Sequence, residues 1–439
     1  MANWQLIITI LFAFAFPITS AAIISYLERK ILAWTQDRAG PLHTGPHGSL
    51  QVLADIGKMF FKEDVHAART DKTLFLLAPS VFIAPMIASF AVLPFSPFIG
   101  LPGTALATGI VYLVAMSSLD VIGVLMAGWG SNNKYSLIGG LRSAAQMISY
   151  ELPLVLALVG VVMLTSVLAG GSGSAVLGTI SIREIMMFQN ASVWPGKGIP
   201  VFDFLFQGNT PWAWFILVQP LMLLIYYISG LAETNRSPFD LPEAESELVA
   251  GYLTEYSGIR WAMFFLGEYG NMTIVSAIIT SLFLGGWAGP GVGFLTAPGM
   301  AIGWQLLGNV LGVLYFITKV YLLCAVFIWV RGTLPRLRSD QLMQFAWLIL
   351  MPATLGNILL VGAIYLVVNG LGWSNLVFLL VTGVINWGLL FAFIRVVRRA
   401  MVASTRRAQA PALHARRVQS PLLPQLPEPV EGAGAGAGK

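Results

Sequence analysis

The sequence predicts an all-α integral membrane protein: a bundle of nine transmembrane helices with an amphipathic interfacial helix in the first cytoplasmic loop. Three observations predict this fold. Of the 439 residues, 56% are hydrophobic and 10% are charged, whereas about 25% of the residues in soluble domains are charged. Nine apolar stretches reach the length of about 20 residues that a helix needs to cross a bilayer. The basic residues also fall almost entirely in alternate connections between these stretches.

The nine stretches define the predicted helices in order. They lie near 4–27, 74–94, 104–127, 143–168, 212–231, 261–288, 303–330, 345–368 and 376–394. The first could be mistaken for a signal peptide. However, it has no basic segment before it and runs directly into Glu28, Arg29 and Lys30, so we expect it to be retained as a span.

The connections predict one orientation. Segments 28–73, 128–142, 232–260, 331–344 and 395–439 hold 22 of the 25 Lys and Arg residues. Cytoplasmic loops carry the excess of Lys and Arg in membrane proteins. We therefore expect these five segments to be cytoplasmic, the N-terminus to be outside and the C-terminal tail to be cytoplasmic. The positive net charge then reflects topology, and no nucleic-acid partner is expected.

Cysteine and histidine usage excludes several metal centres. The only cysteine, Cys324, cannot build a disulfide framework, a Cys-ligated zinc site or an iron–sulfur cluster. The four histidines all lie outside the apolar stretches. We divide the chain into a transmembrane domain, 1–396, and a tail, 397–439, that is rich in Arg, Ala, Pro and Gly. The tail is expected to be disordered because it has too few apolar residues to form a core.

The first cytoplasmic loop contains the predicted interfacial helix. After several Gly and Pro residues, a short segment places apolar residues on one face: Leu50, Leu53, Ile56, Gly57 and Phe60. This segment is too short and too charged to span a bilayer, so it is expected to lie along the membrane surface. Beside a helix bundle, such a helix could admit a lipid-soluble substrate. The alternative is an ordinary helix that rests on the surface.

Four ionisable residues fall within the predicted spans: Asp120, Glu151, Glu268 and Lys319. An Asp, Lys or Arg at the centre of a span costs about 2.5–3.5 kcal/mol, and a buried Glu is comparably unfavourable, so these groups are expected to face the bundle interior. Glu151 and Glu268 each lie about two helical turns from a cytoplasmic end, at the level where Glu233 leaves the fifth span. A line of carboxyls there suits a proton path. The alternative is hydrogen bonding that fixes the helices to one another.

Segment 232–260 is rich in acids threaded through apolar residues. Asp240 suits a helix N-cap, and Glu243 lies three residues later, where it can close a capping box. Glu243 and Glu247 are one turn apart, with Glu245 on another face. Repulsion between like charges and partial burial are expected to raise the pKa of at least one of these carboxyls. The alternative is a capped surface helix whose glutamates keep it soluble.

Four charged blocks resemble one family, the H-type membrane subunit of bacterial proton-pumping NADH:quinone oxidoreductase, respiratory complex I. In this sequence they run from Glu28 to Asp55 through Gln36-Asp37-Arg38-Ala39-Gly40-Pro41, from Gly140 to Glu151, from Leu231 to Tyr256 through Ala232-Glu233-Thr234-Asn235-Arg236-Ser237-Pro238-Phe239-Asp240, and from Arg331 to Met343. They occur in the order expected for the family. Three departures matter: Leu348 follows Trp347 where the family often has Lys, Asp120 matches no family motif, and the ninth span occurs in only some members.

The resemblance implies a role in quinone reduction and proton translocation. In the family, this membrane component forms most of the tunnel by which quinone, the substrate, enters from the bilayer, and it holds no redox cofactor. Iron–sulfur clusters and FMN are expected in partner subunits. The expected partners are the peripheral-arm subunits of the quinone site, the small membrane-arm subunits and membrane lipid. The expected location is the bacterial inner (cytoplasmic) membrane.

The resemblance also implies roles for individual residues. The tunnel entrance is expected to include Glu28, Arg29, Arg38 and Asp55. The groups that couple quinone reduction to proton movement are expected to be Glu151, Glu233, Asp240, Glu243, Glu245 and Glu247. Charge balance or docking of the peripheral arm is expected of Arg236, Arg331, Arg336 and Arg338.

Two other functions stay open from the sequence. A self-contained secondary transporter would use the intramembrane acids as a substrate site. The related membrane component of an energy-converting hydrogenase would bind no quinone. The long first loop with its interfacial helix favours quinone.

Overall fold

The structure is a computed structural model. It describes residues 3–65, 67–96, 106–170, 179–190, 214–240, 249–290, 292–295, 302–373 and 375–417. Within these ranges the regular structure is entirely helical, which confirms the predicted all-α class.

The described helices follow one another along the chain. They are α1 Asn3–Thr35, α2 Gln51–Phe61, α3 Lys72–Phe90, α4 Gly109–Gly130, α5 Lys134–Gly170, α6 Ile182–Asn190, α7 Phe215–Val218, α8 Pro220–Glu233, α9 Gly258–Phe283, α10 Val292–Leu295, α11 Ile302–Thr333, α12 Ser339–Gly370 and α13 Asn375–Arg417. Helix α12 contains a π-helical stretch, Phe345–Leu350.

The long apolar helices agree with the predicted spans. Seven helices of the described ranges, namely α3, α4, α5, α9, α11, α12 and α13, are long and apolar enough to cross a membrane. A described helix also overlaps each of the other two predicted stretches, α1 with 33 residues and α8 with 14. Fourteen residues rise only about 21 Å, less than the bilayer core of about 30 Å. The number of crossings therefore stays a prediction.

Two helices organise the bundle. Helix α5 contacts α4, α8 and α12, while α9 contacts α1, α3, α8 and α11. The closest approach of α3 and α4 depends on Gly123, since a Cβ there would lie 2.9 Å from the backbone of Phe82. Small residues allow membrane helices to pack this closely. Helices α5 and α9 thus place their side chains on both sides of the short helix α8.

The loop between α8 and α9 is packed into the bundle at its end. Tyr256 stacks on Phe75 of α3, with ring centroids 4.2 Å apart, and its hydroxyl donates to the Phe75 carbonyl at 3.2 Å. Burial raises the pKa of Tyr256, against a smaller lowering by Arg260. The hydroxyl therefore stays protonated and keeps its role as a donor.

Helix α2 has an exposed apolar face. Leu53 is 62% exposed and Phe60 is 68% exposed, and none of the residues of α2 is buried. The helix contacts α1 and α9 along its other side. Its amphipathic character agrees with the sequence, while its position at a membrane surface stays a prediction.

Two distant side chains cap the C-terminal end of α9. Gln189 of α6 donates to the carbonyls of Ser281 and Leu282, at 3.0 Å each. Lys319 of α11 donates to the carbonyls of Leu284, Gly286 and Ala288 at 2.7–3.0 Å, and its ammonium lies 4.3 Å from the centre of the Trp214 ring. An ammonium has three N–H donors. Lys319 therefore satisfies the carbonyl of Leu284, the C-cap residue of α9, and two carbonyls of the turn that follows.

Replacing Lys319 by Met is expected to lower the free energy of unfolding by about 3 kcal/mol, because buried carbonyls lose charge-assisted donors. The measurement is the thermal unfolding temperature of the chain within the purified complex. Lys58→Met removes an exposed amine on α2 and serves as the matched control. Equal unfolding temperatures for the two variants would contradict a capping role.

The chain divides into two compact units, Met1–Trp387 and Gly388–Lys439. Of the second unit, the structure describes the part of α13 that ends at Arg417. The tail that the sequence predicts to be disordered begins at 397, and residues 418–439 lie outside the described residues. The predicted boundary therefore stays a prediction.

Candidate functional site

The candidate site is built around the segment that follows α8. Helix α8 ends at Glu233, and the next residues are not helical although most of them are buried: Thr234, Asn235, Arg236, Phe239 and Asp240. Non-helical backbone at membrane depth is tolerated only inside protein or beside a watery cavity. We name residues 234–240 the buried loop.

Helix α5 holds the buried loop through side chains. The amide nitrogen of Gln146 donates to the carbonyls of Ala232 and Phe239, at 2.7 and 2.5 Å. Asn235 donates to the hydroxyl of Ser143 at 3.0 Å. These bonds replace the helical hydrogen bonds that end at Glu233. The loop therefore has a defined conformation without regular secondary structure.

A buried ionic cluster surrounds Arg236. One guanidinium nitrogen lies 3.6 Å from Glu28 of α1, and the other lies 3.5 Å from Glu268 of α9. The guanidinium also lies 4.3 Å from the centre of the Tyr269 ring. Arg331 of α11 forms a hydrogen-bonded ion pair with Glu28. Among the described residues, two carboxylates thus face two guanidinium groups, and the formal charges of these four side chains sum to zero.

Two tyrosines complete the hydrogen bonding of these carboxylates. The hydroxyl of Tyr269 donates to Glu28 at 2.7 Å, and that of Tyr252 donates to Glu268 at 3.2 Å. Buried charges are tolerated when each has a counter-charge and hydrogen bonds. The expectation that ionisable groups in the spans avoid lipid is confirmed for Glu268, which is 5% exposed.

Asp240 is the last residue of the buried loop. Its carboxylate accepts a hydrogen bond from Arg336 at 2.7 Å, and the side chain of Arg336 is half exposed. Arg338 is exposed and pairs loosely with Asp340 at 3.7 Å. Exposed pairs of this kind contribute little stability. Of the four predicted balancing arginines, Arg236, Arg331 and Arg336 contact acids of the site.

The residues predicted to line the tunnel entrance divide between two places. Glu28 lies in the ionic cluster. Arg29 and Asp55 form an ion pair of 2.5 Å that joins α1 to α2, and Gln51 donates to Asp55 at 3.2 Å. Arg38 is exposed on the turn after α1. The structure therefore brings three of the four residues to the junction of α1 with its neighbours.

A second acidic group lies where α4, α5, α8 and α9 meet. Ser117 and Glu233 line the same cavity, and the next residue, Ser118, donates to Glu151. Asp120 accepts a hydrogen bond of 2.6 Å from Asn271. The structure thus brings together Glu151 and Glu233, which the sequence grouped, and adds Asp120, whose role the sequence left open.

A small cavity separates two of these acids. Asp120 and Glu233 both line it, with Ser117, Tyr226 and apolar residues around them, and its volume is about 30 Å³. A cavity of this size has room for at least one water molecule. Acids beside a polar, water-sized space can exchange protons through water.

Three of the predicted coupling acids follow the buried loop in the sequence. Glu243, Glu245 and Glu247 lie outside the described residues, so their roles stay predictions. Among the residues that the structure describes, no group of three or more His, Cys, Asp or Glu side chains could hold a metal ion.

Comparisons with known proteins show what the chain is similar to. A family model described as "NADH dehydrogenase" matches residues 7–362. The chain is 41% identical over 378 residues to an H-type subunit of the NADH-quinone oxidoreductase of Geobacter sulfurreducens, covering 82% of this chain and 94% of that protein. It is 46% identical over 331 residues to the corresponding NADH-quinone oxidoreductase protein of Chlorobaculum parvum, covering 75% and 84%. The corresponding protein of Dehalococcoides mccartyi strain CBDB1 is 42% identical over 356 residues, covering 81% and 86%.

Proposed function

This chain belongs to the NADH dehydrogenase family, and from that membership we propose that it forms most of the quinone-access tunnel of complex I and couples quinone reduction to proton translocation. Its relatives are the H-type subunits of NADH-quinone oxidoreductase. The chain is accordingly a bacterial membrane protein and a subunit of an oxidoreductase complex. The transporter and hydrogenase alternatives receive no comparable support.

One contact carries the proposal. Glu28, a predicted tunnel residue, lies 3.6 Å from Arg236, which follows Glu233 by three residues. The proposed quinone path and the proposed proton path are therefore in contact within the bundle. A change of charge at one can act on the other without a large movement of the chain.

The quinone path begins at α2. Its exposed apolar face suits contact with acyl chains, and the ion pair between Arg29 and Asp55 holds α2 against α1. A lipid-soluble molecule that passes between these helices would meet polar groups at the ionic cluster. We assign Arg38, which is exposed on the turn after α1, to the outer edge of this entrance.

Coupling follows from the distances between charges. A unit charge about 4 Å from a carboxylate changes its energy by roughly 4 kcal/mol at an effective dielectric of 20. Reduction of a quinone by two electrons adds negative charge beside the ionic cluster until two protons are taken up to form quinol, and during that interval it would change the proton occupancy of Glu233. Glu151 would pass the proton onward, and Asp240, Glu243, Glu245 and Glu247 would form the rest of the acidic relay.

The partners follow from the same proposal. Electrons would reach quinone from an iron–sulfur cluster in a peripheral-arm subunit, with FMN farther along that arm, so this chain itself needs no redox cofactor. Arg336 and Arg338 expose guanidinium groups that can pair with carboxylates of that arm in a fixed geometry. The other proposed neighbours are small membrane-arm subunits and lipid. We also propose the orientation that the distribution of Lys and Arg predicts, with the N-terminus outside and the C-terminal tail cytoplasmic.

The test is photolabelling of the assembled complex with a photoreactive quinone analogue, followed by peptide mapping. We expect the label between residues 28 and 62, and we expect excess unlabelled quinone to remove it, because both would occupy the same path. A photoreactive hydrocarbon without a quinone headgroup is the control and is expected to label lipid-exposed residues such as Leu359 of α12. Quinone labelling that matches this hydrocarbon pattern would contradict the proposal.

A further inference from the structure

Asp120 is a buried acid that the proposed relay does not yet use. It lies in the middle of α4, about 15 Å from either end at a rise of 1.5 Å per residue, and it is 3% exposed. A carboxyl at the centre of a membrane helix is costly unless its surroundings compensate. Its neighbours therefore decide what it can do.

The two oxygens of Asp120 have different surroundings. Oδ2 accepts the hydrogen bond from Asn271 of α9 at 2.6 Å. Oδ1 is buried and has no hydrogen-bond partner among the described residues. The side chain lines the cavity of about 30 Å³ that Glu233 also lines. Asp120, Glu233 and Ser117 all line this water-sized space, so a bound water molecule would have room and at least two polar partners.

The charges around the cavity favour a shared proton. Asp120 and Glu233 interact with each other electrostatically, and none of the described residues that line the cavity is positively charged. Facing the pair are Ser89 of α3, Ser117 of α4, Tyr226 of α8 and Asn271 of α9, with Glu151 of α5 next to Glu233. Two like charges in one poorly solvated site are strongly unfavourable.

We propose that Asp120 is an additional proton-holding residue of this chain and exchanges a proton with Glu233 through water in the cavity. This inference rests on the proposed function and extends it. The carboxyl of Glu233 gives a proton to the water, which gives one to the carboxylate of Asp120. No electron moves, and the charge of the pair is unchanged. Asn271 stabilises the ionised form of Asp120 through its N–H donor.

A purely structural role for Asp120 gives a different expectation. In that case the residue only ties α4 to α9 through Asn271. An amide at position 120 could still pair with Asn271, because amides both donate and accept, but it could not hold a transferable proton. Asp120→Asn thus separates the two roles, and Asp120→Glu tests whether another carboxyl restores the function.

The experiment uses the assembled complex in proteoliposomes. Asp120→Asn is expected to lower quinone-linked NADH oxidation and proton pumping by about tenfold, below the losses of 100-fold or more typical of active-site proton-transfer groups. Asp120→Glu is expected to retain more than about half of the wild-type rate. Glu184→Gln, which removes an exposed carboxyl on α6, is the matched control and is expected to match wild type.

Infrared difference spectra between the oxidised and reduced complex detect changes in carboxyl protonation, which are not expected at Asp120 if its role is only structural. We expect a protonated-carboxyl C=O band in the wild type, its loss in Asp120→Asn and its displacement in Asp120→Glu. If Asp120→Asn yields no assembled complex, the Asp120→Glu spectrum decides: a displaced band supports the inference, and an unchanged band overturns it.

Glu233→Gln, measured in parallel, distinguishes failure of the proposed coupling function from failure of the inference about Asp120. Reduced turnover for Glu233→Gln with wild-type turnover for Asp120→Asn would overturn the role of Asp120 and leave the proposed function standing. Equal losses for Asp120→Asn and Asp120→Glu would indicate a structural role and overturn the inference. Wild-type turnover for Glu233→Gln would overturn the coupling function and the inference with it.

Discussion

Replacing Glu233 by Gln is expected to lower quinone-linked NADH oxidation and proton pumping by roughly 30-fold, which corresponds to ~2 kcal/mol in the barrier. Glutamine has nearly the same shape as glutamate, so the end of α8 is expected to retain its conformation. It cannot exchange a proton with the cavity water or with Glu151. The loss is therefore expected in coupled turnover and not in assembly.

The measurement compares two electron acceptors in the same preparation. Oxidation of NADH by a water-soluble artificial acceptor is expected to be unchanged, because under the proposed function that reaction takes place in partner subunits and needs no quinone path. Glu184→Gln again provides the control for removal of a carboxyl. If Glu233→Gln pumps protons at the wild-type rate, Glu233 is not part of the coupling path.

Replacing Arg236 by Met is expected to have the largest effect on stability, a loss of roughly 3–5 kcal/mol in the free energy of unfolding. Arg236 is buried between Glu28 and Glu268. Methionine fills similar space but leaves the cluster with one negative charge in excess. Arg331 can still pair with Glu28, so the loss is expected to fall mainly on Glu268, whose contact with Arg236 is removed.

A double variant tests this explanation. Arg236→Met combined with Glu268→Gln returns the cluster to formal neutrality and keeps an acceptor for the hydroxyl of Tyr252. About half of the lost stability is expected to return, as measured by the thermal unfolding temperature of the chain within the complex. A double variant that unfolds at the same temperature as Arg236→Met alone would show that charge imbalance is not the cause.

Much of the fold could be predicted from the sequence, because hydrophobic stretches of helical length report spans directly. The seven long apolar helices coincide with predicted stretches, and the resemblance to the complex I family is confirmed by the comparisons. The end of α8 could not be predicted. Hydropathy indicates an apolar segment before Glu233, but it does not show that the next residues stay buried in the bundle. Their position depends on a hydrogen bond from Gln146 to Ala232, two residues that are 86 positions apart in the sequence.

For the candidate site, the sequence indicated that certain charged residues are buried, but it did not indicate which residues they contact. The cost of intramembrane charge correctly indicated that Asp120 and Glu268 are buried. The hydrogen-bond partners of these two acids, Asn271 and Tyr252, could not be inferred. Neither partner stands out in the sequence, and helix packing determines where each one lies. The same holds for Lys319, whose capping role depends on where α9 ends. Polar residues within apolar stretches were the only available signal.

The ionic cluster also has a consequence for biosynthesis. Glu28 and its partner Arg331 are 303 residues apart, so at about 5–20 residues per second the ribosome needs roughly 15–60 s to supply the second after the first. For that time the earliest helix carries a carboxylate without its final counter-ion. Arg236, the other counter-ion of Glu28, precedes Arg331 by 95 residues, so the ion pair with Arg331 is expected to form last and to join the early helix α1 to the late helix α11.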